Sequence, residues 1–429
     1  MSTLIVFIAF FTCILIAIPI SISLGISSIL PSIIEPSFTA SGQFIVGSMV
    51  SGLDSFPLLA VPMFILSGVI MARGKISEKI FNVFILCLGR IKAGIPCAVI
   101  ITCLFYGAIS GSGPATVAAV GSMTIPVMVN LGYDKVFATS IVATAGGLGV
   151  IIPPSIPFIM FGMASGQSIS KLFLAGIIPG VVVAILLMIY AIYYCIKNGE
   201  NYEKINKEVL KLQNKGLIKV LKEGFWALLT PAIILGSIYL GIASPTEAAV
   251  ISVFYALFVS LFAYKTLKIK DIVPILKESI RTFAPILFIL ASSVAFSRVL
   301  TLMQVPQIIS DWILGSISNR ITILIVINIF LLLVGMIMDT TPAILILTPI
   351  LLPITTSMGI DPIHFGIIMV VNLAIGFVTP PIGINLFVAS SLVDIPVYKI
   401  AKYTLPLIGY FLVALLLITF IPSLSLCLI

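Results

Sequence analysis

Apolar runs of bilayer length follow one another along the chain, separated by short polar or Gly/Pro-rich stretches. A helix needs about 20 apolar residues to cross the hydrocarbon core. On that criterion the pattern predicts continuous spans over residues 4–28, 55–72, 136–165, 171–195, 225–242, 246–264, 282–303, 363–392 and 399–428. Residues 94–131 and 320–358 have a different shape. Each carries two apolar halves of roughly 18 residues about a small polar tip, "SGSGPA" at 110–115 and "MDTTPA" at 338–343. Polar backbone at membrane depth is tolerated only where protein encloses it, so both regions read as re-entrant hairpins.

Two of the predicted spans are interrupted by the residues least suited to a helix, in "GGLGVIIPPS" (146–155) and "AIGFVTPPIG" (374–383). These breaks belong to a repeat. With Pro114 set over Pro342 and a single one-residue gap, Pro126 meets Pro353, Gly132 meets Gly359, Asp134 meets Asp361, Gly149 meets Gly376, and Pro153-Pro154 meets Pro380-Pro381. Counting spans gives the two copies opposite orientation, which defines an inverted repeat, and the span at 225–242 is what flips the second copy. The predicted organisation is a first repeat over 1–196, with hairpin 94–131 and broken helix 136–165. A linker and extra span follow over 197–242, then a second repeat over 243–429, with hairpin 320–358 and broken helix 363–392.

Composition excludes a soluble domain, since 60% of residues are hydrophobic and 9% charged. The expected fold class is an all-α polytopic membrane protein of the inverted-repeat ion-transporter kind, with two re-entrant hairpins and two broken helices. The first segment lacks a basic leader and a small-residue cleavage site, so it reads as a retained helix. The six cysteines show no metal spacing and read as buried free thiols.

Net charge is +8, but the lysines gather between spans, a pattern of insertion topology with no nucleic-acid partner implied. Residues 29–54 and 304–319 contain no Lys or Arg, whereas 73–92 carry Arg73, Lys75, Lys79, Arg90 and Lys92. The basic side is cytoplasmic, which places the N-terminus in the cytoplasm and the C-terminus in the periplasm. Residues 197–223, with seven lysines and four glutamates, read as a solvated inner linker.

A proline break frees carbonyls from the helical ladder, and such carbonyls can coordinate a cation. One predicted Na⁺ site takes Ser110, Ser112 and the carbonyls of Gly149, Ile152 and Pro154. The other takes the Met338 carbonyl, Thr340, Thr379 and the carbonyls of Gly376 and Pro381. Asp339 is an acid in the middle of a membrane segment, where charge is costly and usually functional. It could complete a cation site or accept hydrogen bonds from substrate hydroxyls; in the latter reading it joins Ser155 and Asn385 as the predicted substrate contacts, helix-end capping being the rival reading for those two. His364 and Asp361 are expected in a solvated outer loop, and Glu247 in a first helical turn. No catalytic constellation, cofactor motif or nucleotide-binding loop is present in the sequence, so an enzyme is not expected and active transport must draw on an ion gradient.

The stretches "DSFPLLAVPMFILSGVIM" (54–71), "GAISGSGPATVAAVG" (107–121), "GGLGVIIPPSIPFIMFG" (146–162), "YLGIASPTEAAV" (239–250) and "GFVTPPIGINLF" (376–387) resemble the large membrane subunit of the tripartite ATP-independent periplasmic (TRAP) transporters. The resemblance covers nearly the whole chain. It adds to the fold class an elevator-type moving domain, and it implies a Na⁺-coupled importer of an organic acid, of the sialic acid or C4-dicarboxylate class with a lean to sialic acid, in the inner membrane. Its implied partners are a small four-helix membrane subunit, separate because the chain starts at the large subunit's first helix, and a periplasmic substrate-binding protein. A stand-alone Na⁺/dicarboxylate symporter is the alternative, and a channel is disfavoured by the paired broken helices.

Overall fold

The computed structural model describes residues 2–35, 38–214, 216–316 and 319–429. Lys215 of the basic linker and Ile317 and Ser318 of the lysine-free segment therefore lie outside the described residues. Among the described residues the chain forms helices and loops, with no strand.

The predicted span 4–28 is two helices, α1 (Ser2–Leu15) and α2 (Ile20–Ile34), packed against each other. Ala17 takes a left-handed conformation, φ 61°, and Pro19, which has no N–H to extend a helix, stands at the start of α2. The lysine-free stretch that follows is partly helical as well. Ser41 starts α3 (Gly42–Leu53) by accepting the Phe44 N–H at 3.3 Å. Next come α4 (Ala60–Arg73) and α5 (Ile76–Leu88), the latter within the basic segment.

The first hairpin is α6 (Gly94–Ser110) and α7 (Gly113–Asn130), turned at Gly111 with φ 61°, a conformation that glycine adopts without steric cost. Asp134 caps α8 (Lys135–Ala145), accepting the Phe137 N–H at 2.8 Å. The rest of this first broken helix is α9 (Leu148–Ile151) and α10 (Ile156–Ser165), with a cis bond between Pro153 and Pro154. Then α11 (Ile169–Asn198) leads to α12 (Tyr202–Asn214), which buries Ile205, Val209 and Leu212 at helical spacing, so the linker is docked rather than free. Glu200 tethers it to the open end of the hairpin by accepting the Ala93 N–H at 2.9 Å and the Tyr133 hydroxyl. Burial and this carboxylate push the Tyr133 phenol well above its usual pKa.

The second half runs α13 (Leu217–Tyr239), α14 (Pro245–Phe258), α15 (Ile272–Leu302) and α16 (Val305–Ser316). Glu247 sits in the first turn of α14 as expected, in a reciprocal cap with Ser244. The second hairpin is α17 (Arg320–Gly335) and α18 (Thr340–Ser357). The second broken helix is α19 (Pro362–Gly376) and α20 (Ile384–Val393), with a cis bond between Pro380 and Pro381. The chain closes with α21 (Val397–Phe420) and α22 (Ser423–Leu426).

Packing sorts these helices into two groups. α2, α3 and α4 flank α15, α4 also packs on α14, and α13 joins α5 to α14. The hairpins and broken helices interlock in the other group: α7 and α8 with α20, α8 and α11 with α21, α10 with α18, and α11 with α19. α15 and α5 bridge the groups, α15 packing on α18 and α5 on α6. The most apolar window of α8–α10 is 94% buried, against 44% for those of α15 and α21, which puts the first broken helix at the centre. Among the described residues, seven helical stretches are long and apolar enough to cross a membrane. The chain is a multi-pass membrane protein with two re-entrant hairpins and two broken helices.

Two expectations need correction. Cys97, Cys103 and Cys195 are buried, but Cys87 and Cys427 are exposed. His364 is not in a solvated loop: it is 1% exposed, and Nε2 lies 3.3 Å from the Thr419 carbonyl. The Asp361 cap draws it inward, its carboxylate accepting the N–H groups of Ile363 and His364 at 2.8 and 3.1 Å.

Candidate functional site

Each hairpin meets a broken helix through a pair of glycines. A Cβ added to Gly107 of α6 would lie 2.6 Å from the Gly149 Cα, and one added to Gly376 would lie 2.3 Å from the Gly335 carbonyl carbon and oxygen. Gly107 and Gly335 were not singled out from the sequence, although the repeat places them in register, each seven residues before its tip proline. Without side chains between them, hairpin and break touch backbone to backbone, which brings the tips against the freed carbonyls.

At the first tip the oxygens converge. Ser110 Oγ lies 3.0 Å from Thr116 Oγ1, and Thr116 Oγ1 donates to the Ser112 carbonyl at 2.8 Å. Gly149 is pressed onto this group, since an added Cβ would stand 2.5 Å from Thr116 Oγ1 and 2.7 Å from the Ser112 carbonyl oxygen. The Pro154 carbonyl faces Gly111 of the tip, 3.0 Å from where a Cβ would be. So Ser110, Ser112, Gly149 and Pro154 are brought together, with Ser112 engaged through its carbonyl. Thr116 is an additional member, legible in hindsight as the residue one helical turn from Ser112. Ile152 sits in the break, its side chain packed where α11 carries Gly180.

The second tip is sparser. Asp339 is half-buried and caps α18, its Oδ1 accepting the Thr340 N–H at 2.6 Å and the Thr340 hydroxyl at 3.2 Å. No ion pair reaches Asp339 among the described residues. Met338 is half-buried beside it. Thr379, in the break, donates its hydroxyl to the Ile375 carbonyl near the end of α19 at 2.7 Å. Pro381 is exposed and lines a separate cavity with Tyr398 and Lys402.

Ser155 and Asn385 each make hydrogen bonds to backbone within and between the broken helices. Ser155 is 0% exposed, donates to the Val150 carbonyl at 2.5 Å and caps α10 by accepting the Phe158 N–H at 3.3 Å, so its hydroxyl is used within the break. Asn385 is equally buried and donates to the Ala143 carbonyl at 3.1 Å, tying the second broken helix to the first. Its Oδ1 makes no hydrogen bond.

Both tips line one small cavity of about 60 Å³, with Ser112 on one side and Asp339, Thr340 and Thr341 on the other, closed by Phe377 and by Ile286 of α15. Three helices begin at this cavity: α7 at Gly113, α10 at Ile156 and α18 at Thr340. Helix N-termini carry partial positive charge, which favours an anion, although the Gly111 carbonyl and Ser155 take up the first N–H groups of α10 and Asp339 that of Thr340. A larger cavity of about 530 Å³ reaches Ser110 and Ser112 from the side of Arg73 and Glu278. These two are paired, Arg73 Nε lying 2.9 Å from the Glu278 carboxylate, and join α4 to α15.

Paired hairpins, paired broken helices and helix ends converging at their centre define a secondary-transporter architecture. Solved structures share the fold: the YdaH transporter of Alcanivorax borkumensis superposes with TM-score 0.62 at 15% identity, over 87% of this chain and 86% of that one. MtrF of Neisseria gonorrhoeae gives TM-score 0.63 at 14% identity, over 87% and 83%. The profile of the tripartite ATP-independent periplasmic transporter DctM component matches residues 7–424, and the chain belongs to that family. Among its relatives, the isethionate TRAP permease DctMQ of Oleidesulfovibrio alaskensis is 42% identical over 95% of this chain, which spans 63% of that protein's length. The C4-dicarboxylate large permease DctM of Pseudomonas aeruginosa is 39% identical, over 87% of this chain and 86% of its own. The sialic acid large permease SiaM of Vibrio cholerae is 36% identical, over 90% and 89%.

Proposed function

We propose that this chain is the transport subunit of a Na⁺-coupled importer of an organic anion. The observation that carries the proposal is the pair of hairpin tips meeting at one cavity ringed by three helix N-termini. The anion binds between the tips, drawn by the partial positive charge at the N-termini of α7, α10 and α18. Asp339 opposes it by like charge, and bound Na⁺ offsets that repulsion, which supplies the coupling. One Na⁺ is held by Ser110, Thr116 and the carbonyls of Ser112, Gly149, Ile152 and Pro154. A second is held by Thr340 with the Met338 and Gly376 carbonyls, and Thr379 and Pro381 contribute least.

A 60 Å³ space is far below the roughly 300 Å³ of small-molecule sites, so the tips must separate or shift against α15 to admit cargo. An elevator movement of the hairpin group along the α2–α4, α13–α15 group supplies this, with 1–196 and 243–429 as the two repeats and 197–242 as their connection. The named relatives carry isethionate, C4-dicarboxylate or sialic acid at similar identity, so the shared cargo chemistry is an organic anion and the lean to sialic acid is not favoured. A small membrane subunit and a periplasmic binding protein complete the system. The basic segments 73–92 and 197–222 face the cytoplasm, the N-terminus with them, and 304–319 and the C-terminus face the periplasm.

Uptake by proteoliposomes tests this over a panel of isethionate, succinate and sialic acid, with and without Na⁺ and the binding protein. Uptake of one of them only with both present is the expected result. Uptake unchanged with K⁺ replacing Na⁺ sinks the coupling, and full uptake without the binding protein establishes a stand-alone symporter instead.

A further inference from the structure

A second large cavity, about 610 Å³, lies between the two helix groups toward the end of α15, and among the described residues Arg298 is the sole charged one lining it. Arg298 stands 20 residues beyond Glu278 on the same helix, about 30 Å by the helical rise, so this cavity opens on the membrane face opposite the Arg73–Glu278 pair. Arg298 Nη1 donates to Ser51 Oγ at 2.7 Å and Ser48 Oγ at 3.4 Å. These are neutral hydroxyls, and no carboxylate pairs with Arg298 among the described residues. The arrangement is built in: Ser48, Ser51 and Gly52 share one face of α3, and a Cβ at Gly52 would lie 2.8 Å from Val294 of α15. The glycine lets α3 lie flush on α15, so the two serines hold the guanidinium in place without neutralising it.

A guanidinium has five N–H donors in a planar fork, and only Nη1 is engaged by protein here. Arg298 is exposed near the end of α15, so its remaining N–H groups are open to an anionic ligand in the cavity. The other wall carries Gln167 and Ser170, amide and hydroxyl, and the volume is that of a small-molecule site. The fork matches a carboxylate in two-point geometry.

We propose that Arg298 captures the anionic group of the cargo, carboxylate or sulfonate, in this vestibule before it reaches the hairpin tips. The proposal rests on the organic-anion reading, and its test is separable from it. A single cysteine at Ser170, in the full chain with its native cysteines replaced, is labelled in proteoliposomes by an anionic and by a cationic thiosulfonate at low salt. Arg298→Gln lowers the anionic-to-cationic rate ratio about fivefold, and Arg298→Lys keeps it within about twofold. Succinate slows the anionic reagent when Arg298 is present and not in Arg298→Gln. A ratio unmoved by Arg298→Gln overturns the proposal, and so does a ratio that moves without succinate protection. Labelling requires no transport, so failed uptake by the unsubstituted protein sinks the transport reading and leaves this measurement standing.

Discussion

The first and second broken helices share a glycine contact with their hairpins and differ in what surrounds it. Residues 146–162 are all buried, whereas Thr379 and Pro380 are half-buried and Pro381 and Ile382 are exposed. Where the first tip has Ser110 and Thr116, the repeat places Met338 and Ile344. The second tip has a carboxylate instead, Asp339, beside Thr340. A break sealed from water must supply its oxygens from the protein, because an unsatisfied carbonyl in a dry interior costs about 1–3 kcal/mol. An open break can take water, and a charged group can stand in for several neutral ones. Common ancestry of the two halves therefore does not make their chemistry equal.

The largest effect should come from Asp339→Asn. If Asp339 is the charge through which Na⁺ acts, uptake falls by about 100-fold or more with the folded protein retained, measured as initial rates beside a thermal melt. Retained uptake would put the coupling at the first site alone.

Next come the glycines. Gly149→Ala and Gly376→Ala each force a Cβ into backbone or Thr116 Oγ1 and should cost about 1–3 kcal/mol of stability, read from melting of the purified chain. Gly149→Ala should raise the Na⁺ concentration for half-maximal uptake more than Gly376→Ala, because it intrudes on Thr116 Oγ1 and the Ser112 carbonyl, whereas a Cβ at Gly376 meets the Gly335 backbone. Equal Na⁺ effects from both would erase the asymmetry.

Thr116→Val should raise half-saturating Na⁺ about tenfold, as expected for about 1.4 kcal/mol from one buried ligand. Ser112→Ala should do less, since Ser112 acts through its carbonyl. A larger effect from Ser112→Ala would show that its hydroxyl turns inward when Na⁺ binds.

The smallest effects belong to Thr379→Val and Pro381→Ala, within about 0.5 kcal/mol or twofold in Na⁺ dependence, because the Thr379 hydroxyl already bonds Ile375 and Pro381 is exposed. A tenfold shift from either would restore the symmetric pair of sites.

The extra helices near the N-terminus and the depth of His364 were not legible in the linear pattern. A single residue such as Ala17 in a left-handed turn leaves no mark on hydrophobicity, and Asp361 reads as solvated until its cap is seen to turn His364 inward. Thr116 was hidden for a related reason: a threonine in an apolar helix ordinarily bonds back to its own turn, and only the approach of Gly149 makes it part of a site.

The sequence by itself determined the membrane class, both hairpins and both breaks, because helix periodicity, the cost of polar backbone in lipid and the dihedral limits of glycine and proline act within a few residues of chain. Only the tertiary structure decided that Ser155 and Asn385 bond to backbone of the broken helices, that Pro381 stands apart from its tip, and that Arg298 lacks a carboxylate partner among the described residues. Those outcomes depend on which neighbour takes up a hydrogen bond or leaves a charge unpaired, and the neighbours come from helices far apart in the chain.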